Sequence, residues 1–245
     1  MSFGFDRFRV YYKIKGVLVN LTSLSIGMGR GMMGATDNPV VKRGAVPYIP
    51  GSSLKGALRS EAERYARSTF GEESVCDILN PEGERGELKL KERANKQGNA
   101  YRPCVVCRIF GGPTLASHIL VYDAFPLDGS YSLSVRRRVS INRLTGGQHP
   151  GRLFDVESVN PGCRWSLELA LDNLDPFQDS EEARVLRHLF SLIHNEGLPV
   201  GGKRSIGLGV VKLVSAEVSK FTLKDGRVVS ENVTERFMDH VKSWK

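Results

Sequence analysis

The sequence is poor in cysteine for its size, with four in 245 residues. That is too few for the disulfide framework of a small secreted domain. It has no apolar run approaching the roughly 20 residues that cross a bilayer. Its first residues, MSFGFDRFRVYYKIKG, lack the apolar centre of a secretory leader. A soluble, cytoplasmic protein with no membrane partner is expected. The triphosphate-binding loop is also missing, because no Gly-Lys-Ser/Thr follows a four-residue gap after a glycine. The glycine-rich run 27–34, GMGRGMMG, is not a dinucleotide fingerprint, since Met32 stands where the third glycine belongs. There are five histidines, none of them in the N-terminal strand and loop.

What is present is globular: 40% apolar and 25% charged residues. The chain is long enough to bury a real core. No clean linker divides it, so one domain over 1–245 with insertions is expected. A net charge of +8 points to a polyanionic partner, with general solubility as the alternative.

The densest signal is PYIPGSSLKGALR, residues 47–59. The two prolines disfavour helix at the residues before them. Gly51 permits a turn, and Ser52 or Ser53 suits a helix N-cap. Leu54, Leu58, Ala62 and Tyr65 then recur at helical spacing and make a buried face. Lys55 and Arg59 share another face. Cations in the first turns oppose the helix dipole, so their presence fits a docked anion, with phosphate the obvious candidate. An ordinary helix start with solvated basic residues is the alternative.

Along the rest of the chain, Phe8, Val10, Tyr12 and Ile14 alternate with Arg9, Tyr11, Lys13 and Lys15, as in a half-buried strand with a basic outer face. Arg30 adds charge to the glycine-rich loop. Asp37 precedes the turn-forming pair Asn38-Pro39; an aspartate there most often caps its own turn. Residues 68–113 show little periodicity and read as an insertion. That insertion holds Cys104-Val105-Val106-Cys107, half of a zinc site. Cys76 is a third ligand candidate, and no fourth is obvious, His118 being nearest and His149 more distant. Two buried thiols or a redox pair are the alternative. Arg136 to Arg152 is strongly basic around a Gly-Gly turn and suits a protruding β-hairpin over about 131–160, with Arg137, Arg138 and Arg143 as candidate contacts for a polyanion. WSLELAL, 165–171, alternates as a strand. Ser180 caps a helix whose core face is Val185, Leu186, Leu189, Phe190 and Ile193, ending at Gly197. His188 and His194 on that helix read as structural or exposed. Finally, Gly201 to Gly209 encloses Lys203 and Arg204 in a loop able to hold phosphate through backbone N–H groups. The element order predicts an α+β fold with a mostly antiparallel sheet.

Three stretches, PYIPGSSLKGALR, the preceding GATDNPV and the late GGKRSIGLGVVKL, resemble the RAMP superfamily, the RNA-binding subunits of CRISPR effector complexes. Together they are most similar to the repeated backbone subunit of type III (Csm/Cmr) complexes, over about Ile14 to Val214. The resemblance implies a ferredoxin-like or RRM-like core with a helical insertion and a β-hairpin thumb that folds over guide RNA. It implies guide RNA, target RNA, copies of itself or paralogous backbone subunits and other effector-complex subunits as partners. It implies Asp37 as the residue of target-RNA cleavage, acting as a base or holding a divalent metal, with magnesium the natural choice. Some relatives carry zinc in the insertion. Asn142 stands where many relatives have Asp. An inactive architectural subunit is the nearest alternative. A guide-processing endoribonuclease, which commonly relies on histidine, is disfavoured by the histidine-free N-terminal region.

Overall fold

The computed structural model describes residues 5–27 and 36–243. Its elements in order are β1 (Val10–Asn20), β2 (Lys42–Arg43), β3 (Val46–Pro47), α1 (Gly51–Phe70), α2 (Glu87–Lys96), α3 (Val105–Phe110), β4 (Ile119–Val121), β5 (Leu133–Ile141), β6 (Gln148–Val159), β7 (Arg164–Asp172), α4 (Glu181–Asn195), β8 (Leu198–Pro199), β9 (Val210–Lys224), β10 (Arg227–Asn232) and α5 (Thr234–Ser243). The main sheet is antiparallel in the order β10-β9-β1-β7-β4, with β8 also paired to β9. Helix α1 leads from β1 to β4, and α4 leads from β7 to β9. Two split β-α-β units thus interlock, which is the ferredoxin-like arrangement. The α+β class expected from the sequence is the one observed.

The alternation in β1 sets the layers. Tyr12, Ile14 and Leu18 are fully buried, while Lys13 pairs with Glu168 on the outer face. The strand starts at Val10, and Phe8, expected on its inner face, is largely exposed. The inner face packs Ile14, Leu167, Leu169 and Leu213 against Leu54 and Leu58 of α1 and Leu186, Leu189 and Phe190 of α4. Helix α4 follows the sequence reading: the Ser180 hydroxyl accepts from the Ala183 amide at 3.1 Å, and Gly197 follows at φ 99°.

Helix α1 departs from the reading at its start. Its N-cap is Pro50, and neither Ser52 nor Ser53 caps it. The Gly51 amide instead donates to Asp123 Oδ1 at 2.8 Å, 72 residues away. A Cβ on Gly51 would lie 2.3 Å from the Val121 carbonyl oxygen, so only glycine lets the helix start this close to β4. Asp123 also pairs with Arg43, whose guanidinium lies over the Tyr48 and Phe125 rings. A carboxylate from the protein itself therefore answers the helix N-terminus.

Outside the main sheet, β5 and β6 form a separate ribbon, and α2 and α3 lie in the segment between α1 and β4, with Val105, Val106, Ile109 and Phe110 of α3 in the core. Helix α2 lacks an apolar stripe, and Glu87 is its one buried residue. Helix α3 is tied to α4 by Arg108, which is buried, donates to the Pro103 carbonyl at 2.8 Å, and forms ion pairs with Glu181 and Glu182. Burial alone would raise the Glu182 carboxyl, but the Arg108 guanidinium outweighs it and holds it below the usual range.

Removing the buried guanidinium leaves the partly buried Glu182 without its partner, a loss of about 1–3 kcal/mol. Arg108→Ala should lower the urea midpoint accordingly. Because the folded Glu182 is the stronger acid, its contribution is present above the ordinary value of 4.5 and lost as pH falls through the lower folded one. The stability gap between wild type and variant should therefore shrink on acidification; a gap independent of pH would refute this role for the pair.

Candidate nucleic-acid interface and metal centre

Asp37 stands on an exposed bend. Its Oδ2 accepts a 2.8 Å hydrogen bond from the Asp155 amide, 118 residues on, so it does not simply cap its own turn. The next residue continues the docking. Asn38 and Val156 form a parallel bridge, the Asn38 amide donates to the Asp155 carbonyl at 3.2 Å, and the Glu157 amide donates to the Asn38 carbonyl at 3.1 Å. Glu157 completes the join: Oε2 accepts from the Val40 amide at 2.9 Å and Oε1 pairs with Lys42 at 2.8 Å. The Asp37 loop is thus laced to the root of the β5–β6 ribbon. Arg137 lies opposite Asp155 in the ribbon register, and its Nε donates to Asp155 Oδ1 at 3.2 Å.

Beside this junction is an open groove of roughly 510 Å³, lined by Arg137, Arg138, Val139, Phe154, Lys203, Ser205 and Ile206. Arg138 Nε is shielded from solvent and has no hydrogen-bond partner among the described residues. Buried donors are nearly always satisfied, so a cation turned into a groove without an acceptor is a natural seat for an anion. Lys203 adopts the left-handed conformation at φ 60°, and Arg204 opens the short 3-10 turn Arg204–Ile206. The surrounding glycines do not leave their amides for phosphate as expected. Gly202 donates to the Ser25 carbonyl at 3.0 Å and Gly209 to the Ser23 carbonyl at 2.9 Å. The loop is held against the continuation of β1; Lys203 lines the groove, and Arg204 is exposed without lining it.

The other cations expected at the interface are placed elsewhere. Lys55 Nζ donates to Ser117 Oγ at 2.7 Å; burial and then the neighbouring Arg59 lower its pKa. Arg59 pairs with Glu63 at 3.0 Å, donates to the Gly111 carbonyl at 2.9 Å and reaches Cys107 Sγ at 3.5 Å. Both residues face the 71–118 segment, whereas Lys203 faces the ribbon. Ser52 is exposed and Ser53 half-buried. Arg143 is exposed at the tip of the ribbon. Arg30 lies outside the described residues.

The cysteines come together. Sγ of Cys76, Cys104 and Cys107 all lie within 4.8 Å of one another. Cys76 and Cys107 are 3.4 Å apart, and Cys104 and Cys76 are 3.6 Å apart. The Cys-x-x-Cys spacing works because Cys104 is the N-cap of α3, its sulfur accepting from the Cys107 amide at 3.4 Å. Hydrogen bonding within the cluster pulls the Cys104 pKa down, while those of Cys76 and Cys107 rise for the same reason. Three close sulfurs, one biased towards thiolate, are the donor set of a thiophilic metal. Neither histidine named from the sequence joins them. His118 Nδ1 pairs with the Asp172 carbonyl at 2.8 Å and stacks on Phe5; His149 lies on the ribbon. His188 stacks on Tyr65 and meets Glu61, and His194 bonds the Leu213 carbonyl, both structural roles.

The RAMP superfamily model matches residues 18–212. The chain belongs to the RAMP superfamily. Among curated proteins it is similar to the "CRISPR system Cms endoribonuclease Csm3" of Methanothermobacter thermautotrophicus, 26% identical over 82% of this chain and 83% of that protein. The proteins of the same name from Methanocaldococcus jannaschii and Enterococcus italicus are each 27% identical, over 82% and 81% of this chain and 79% and 89% of their own lengths. Among the described residues of this RAMP protein, no helix is long and apolar enough to cross a membrane.

Sequence reasoning passed over Asp123, Asp155, Glu157 and Arg43. Each acts on a partner far along the chain, and no local pattern marks them. The carboxylate–amide contact at Asp37 has a direct readout. Asp37→Ala should speed hydrogen exchange at the Asp155 amide while leaving β1 amides protected, whereas Asp37→Asn, which keeps an acceptor oxygen, should change it little. Unaltered exchange at Asp155 in Asp37→Ala would show that the contact does not hold the ribbon.

Proposed function

We propose that this chain is a guide-RNA-binding backbone subunit of a type III CRISPR effector complex. In this reading it assembles along guide RNA with copies of itself or paralogous subunits and other effector-complex subunits, and cleaves bound target RNA at Asp37. The observation that carries the reading is the carboxylate of Asp37 held at the root of a basic ribbon, next to a groove where Arg138 has a donor without a partner among the described residues. Membership of the RAMP superfamily and similarity to proteins named as Csm3 endoribonucleases support it.

RNA carries its own nucleophile, the 2′-OH. In-line attack needs the target nucleotide freed from regular A-form geometry, and a protruding ribbon beside Asp37 is suited to splaying the duplex. One Asp37 oxygen is held by the Asp155 amide, which orients the carboxylate; the other is available to accept the 2′-OH proton or to hold a divalent cation. Magnesium is commonly bound by one or two carboxylates together with phosphates, so a single aspartate facing RNA fits it. When bound it would neutralise charge at the scissile phosphate. Arg137, paired to Asp155, supplies a fixed positive charge nearby.

General base catalysis by one group contributes about 10²–10⁴-fold. Asp37→Asn should lose cleavage of that order while assembly and target binding persist, and a 2′-deoxy substitution at the scissile nucleotide should abolish cutting. Normal cleavage by Asp37→Asn would favour the second reading, an architectural subunit. The specific observation on that side is that Asp37 already has a structural task at Asp155.

RNA affinity should fall, with a flatter salt dependence, on charge reversal at Arg138 and Lys203. Reversal at Lys55, also proposed as an RNA contact together with Ser52, Ser53, Arg59, Arg143, Arg204 and Arg30, tests whether the α1 start joins the same surface. Unchanged affinity and slope for all three variants would reject the surface. Cys76, Cys104 and Cys107 are proposed as ligands of a structural zinc; purified protein should then hold about one zinc per chain.

A further inference from the structure

Glu87 is fully buried, at 0% exposure. Its Oε1 accepts from the Thr114 hydroxyl, but Oε2 is shielded from solvent and has no partner among the described residues. No lysine or arginine forms an ion pair with it among them. An ionised carboxylate out of water is costly unless a cation or donors compensate. The compensation has to come from something near Oε2, and Cys107 of the cysteine cluster is on that side. A Cβ on Gly112 would lie 2.1 Å from Glu87 Oε2 and 3.0 Å from Cys107 Sγ. Oε2 thus fills the space a side chain would take beside Cys107, but it lies outside the set of ligand atoms within 4.8 Å of one another that the three sulfurs form, so a short inward movement is needed for it to share their metal. The hydroxyl of Tyr101 is a second buried atom without a partner among the described residues.

We infer that Glu87 is the fourth ligand of the metal centre, its Oε2 closing a Cys₃Glu tetrahedron with Cys76, Cys104 and Cys107. The inference rests on the three-thiol zinc reading above and adds the ligand that reading lacks. Zinc takes sulfur at about 2.3 Å and carboxylate oxygen at about 2.0–2.2 Å. Tetrahedral geometry at that bond length puts sulfurs about 3.7 Å apart, close to the 3.4 and 3.6 Å found here. Charge agrees as well. Three thiolates and a carboxylate bring four negative charges to a buried spot, where Arg59, 3.5 Å from Cys107 Sγ, supplies one positive charge. A divalent cation takes up most of the remainder. Glu87 is the first residue of α2, where an acid ordinarily serves the helix dipole. That place in the sequence hides a ligand role.

The test uses the full-length protein, loaded with zinc for affinity and with cobalt(II) for spectroscopy. Wild type should bind about one metal and show the ligand-field bands of a tetrahedral site. If it binds none, the three-thiol reading fails and the inference falls with it. Loss of an outer hydrogen-bonding partner costs about 10–100-fold in metal affinity, so Glu87→Ala should lose more than that in chelator competition and should shift the cobalt bands. A smaller loss with unmoved bands leaves the three-thiol site standing and overturns Glu87 as a ligand. Glu87→Cys keeps the decision open if the alanine variant does not fold. Thiolate-to-cobalt charge transfer rising from three to four sulfurs supports the inference, and intensity staying at three overturns it.

Discussion

Strand β1 is hydrogen-bonded along both edges, to β7 over Tyr11–Val19 and to β9 over Val10–Asn20. The rest of the molecule depends on that double pairing. It fixes which side chains point inward and so where α1 and α4 must pack. It also fixes where the chain leaves the sheet. At that exit Asn20 is fully buried; its Oδ1 accepts from the Trp165 indole at 3.1 Å, and its Nδ2 donates to the Thr22 and Asn160 carbonyls at 2.9 Å. The continuation then serves two neighbours. Leu24 bridges to Val159 at the end of β6, and the Ser25 carbonyl holds the Gly202 amide.

One short extension of a core strand therefore meets both the ribbon and the 201–209 loop. This is how Arg138 and Lys203, far apart in sequence, come to line one groove. It is also why the Asp37 loop docks where it does. Val41 donates to the Ile26 carbonyl, and the following Lys42 meets Glu157, so the Asp37 segment lies between the β1 extension and β6. The candidate chemistry sits at a junction held by backbone hydrogen bonds, with the charged side chains arranged around it.

The second site is held by a different logic. In the 71–118 segment α3 buries Val105, Val106, Ile109 and Phe110 in the core, whereas α2 has no apolar face. The segment is fastened at points: Arg108 to the α4 N-terminus, Arg59 to Gly111, Lys55 to Ser117, and the three cysteines to one another. Both cations that suggested phosphate at the α1 start, Lys55 and Arg59, are fasteners of this segment. The α1 N-terminus itself is answered by Asp123, so the helix start that looked built for an external anion already has one from the chain.

Much was determined by the sequence alone. Alternation in β1 and β7 and the 3.6-residue spacing in α4 are local patterns, set by which face must leave water, and they led to the α+β class. The Cys-x-x-Cys pair, with Cys76 as its third member, was legible because a helix N-cap and the position three residues on bring two sulfurs together whatever the surroundings. Only the tertiary structure decided the rest: that Asp123 rather than a serine caps α1, that Asp37 binds the Asp155 amide, that Lys55 and Arg59 turn to the cysteine segment, and that Glu87 is buried beside it. The reason is common to all four. A charged or polar side chain shows its chemistry in sequence but not its partner, and when the partner lies tens of residues away only chain packing selects it.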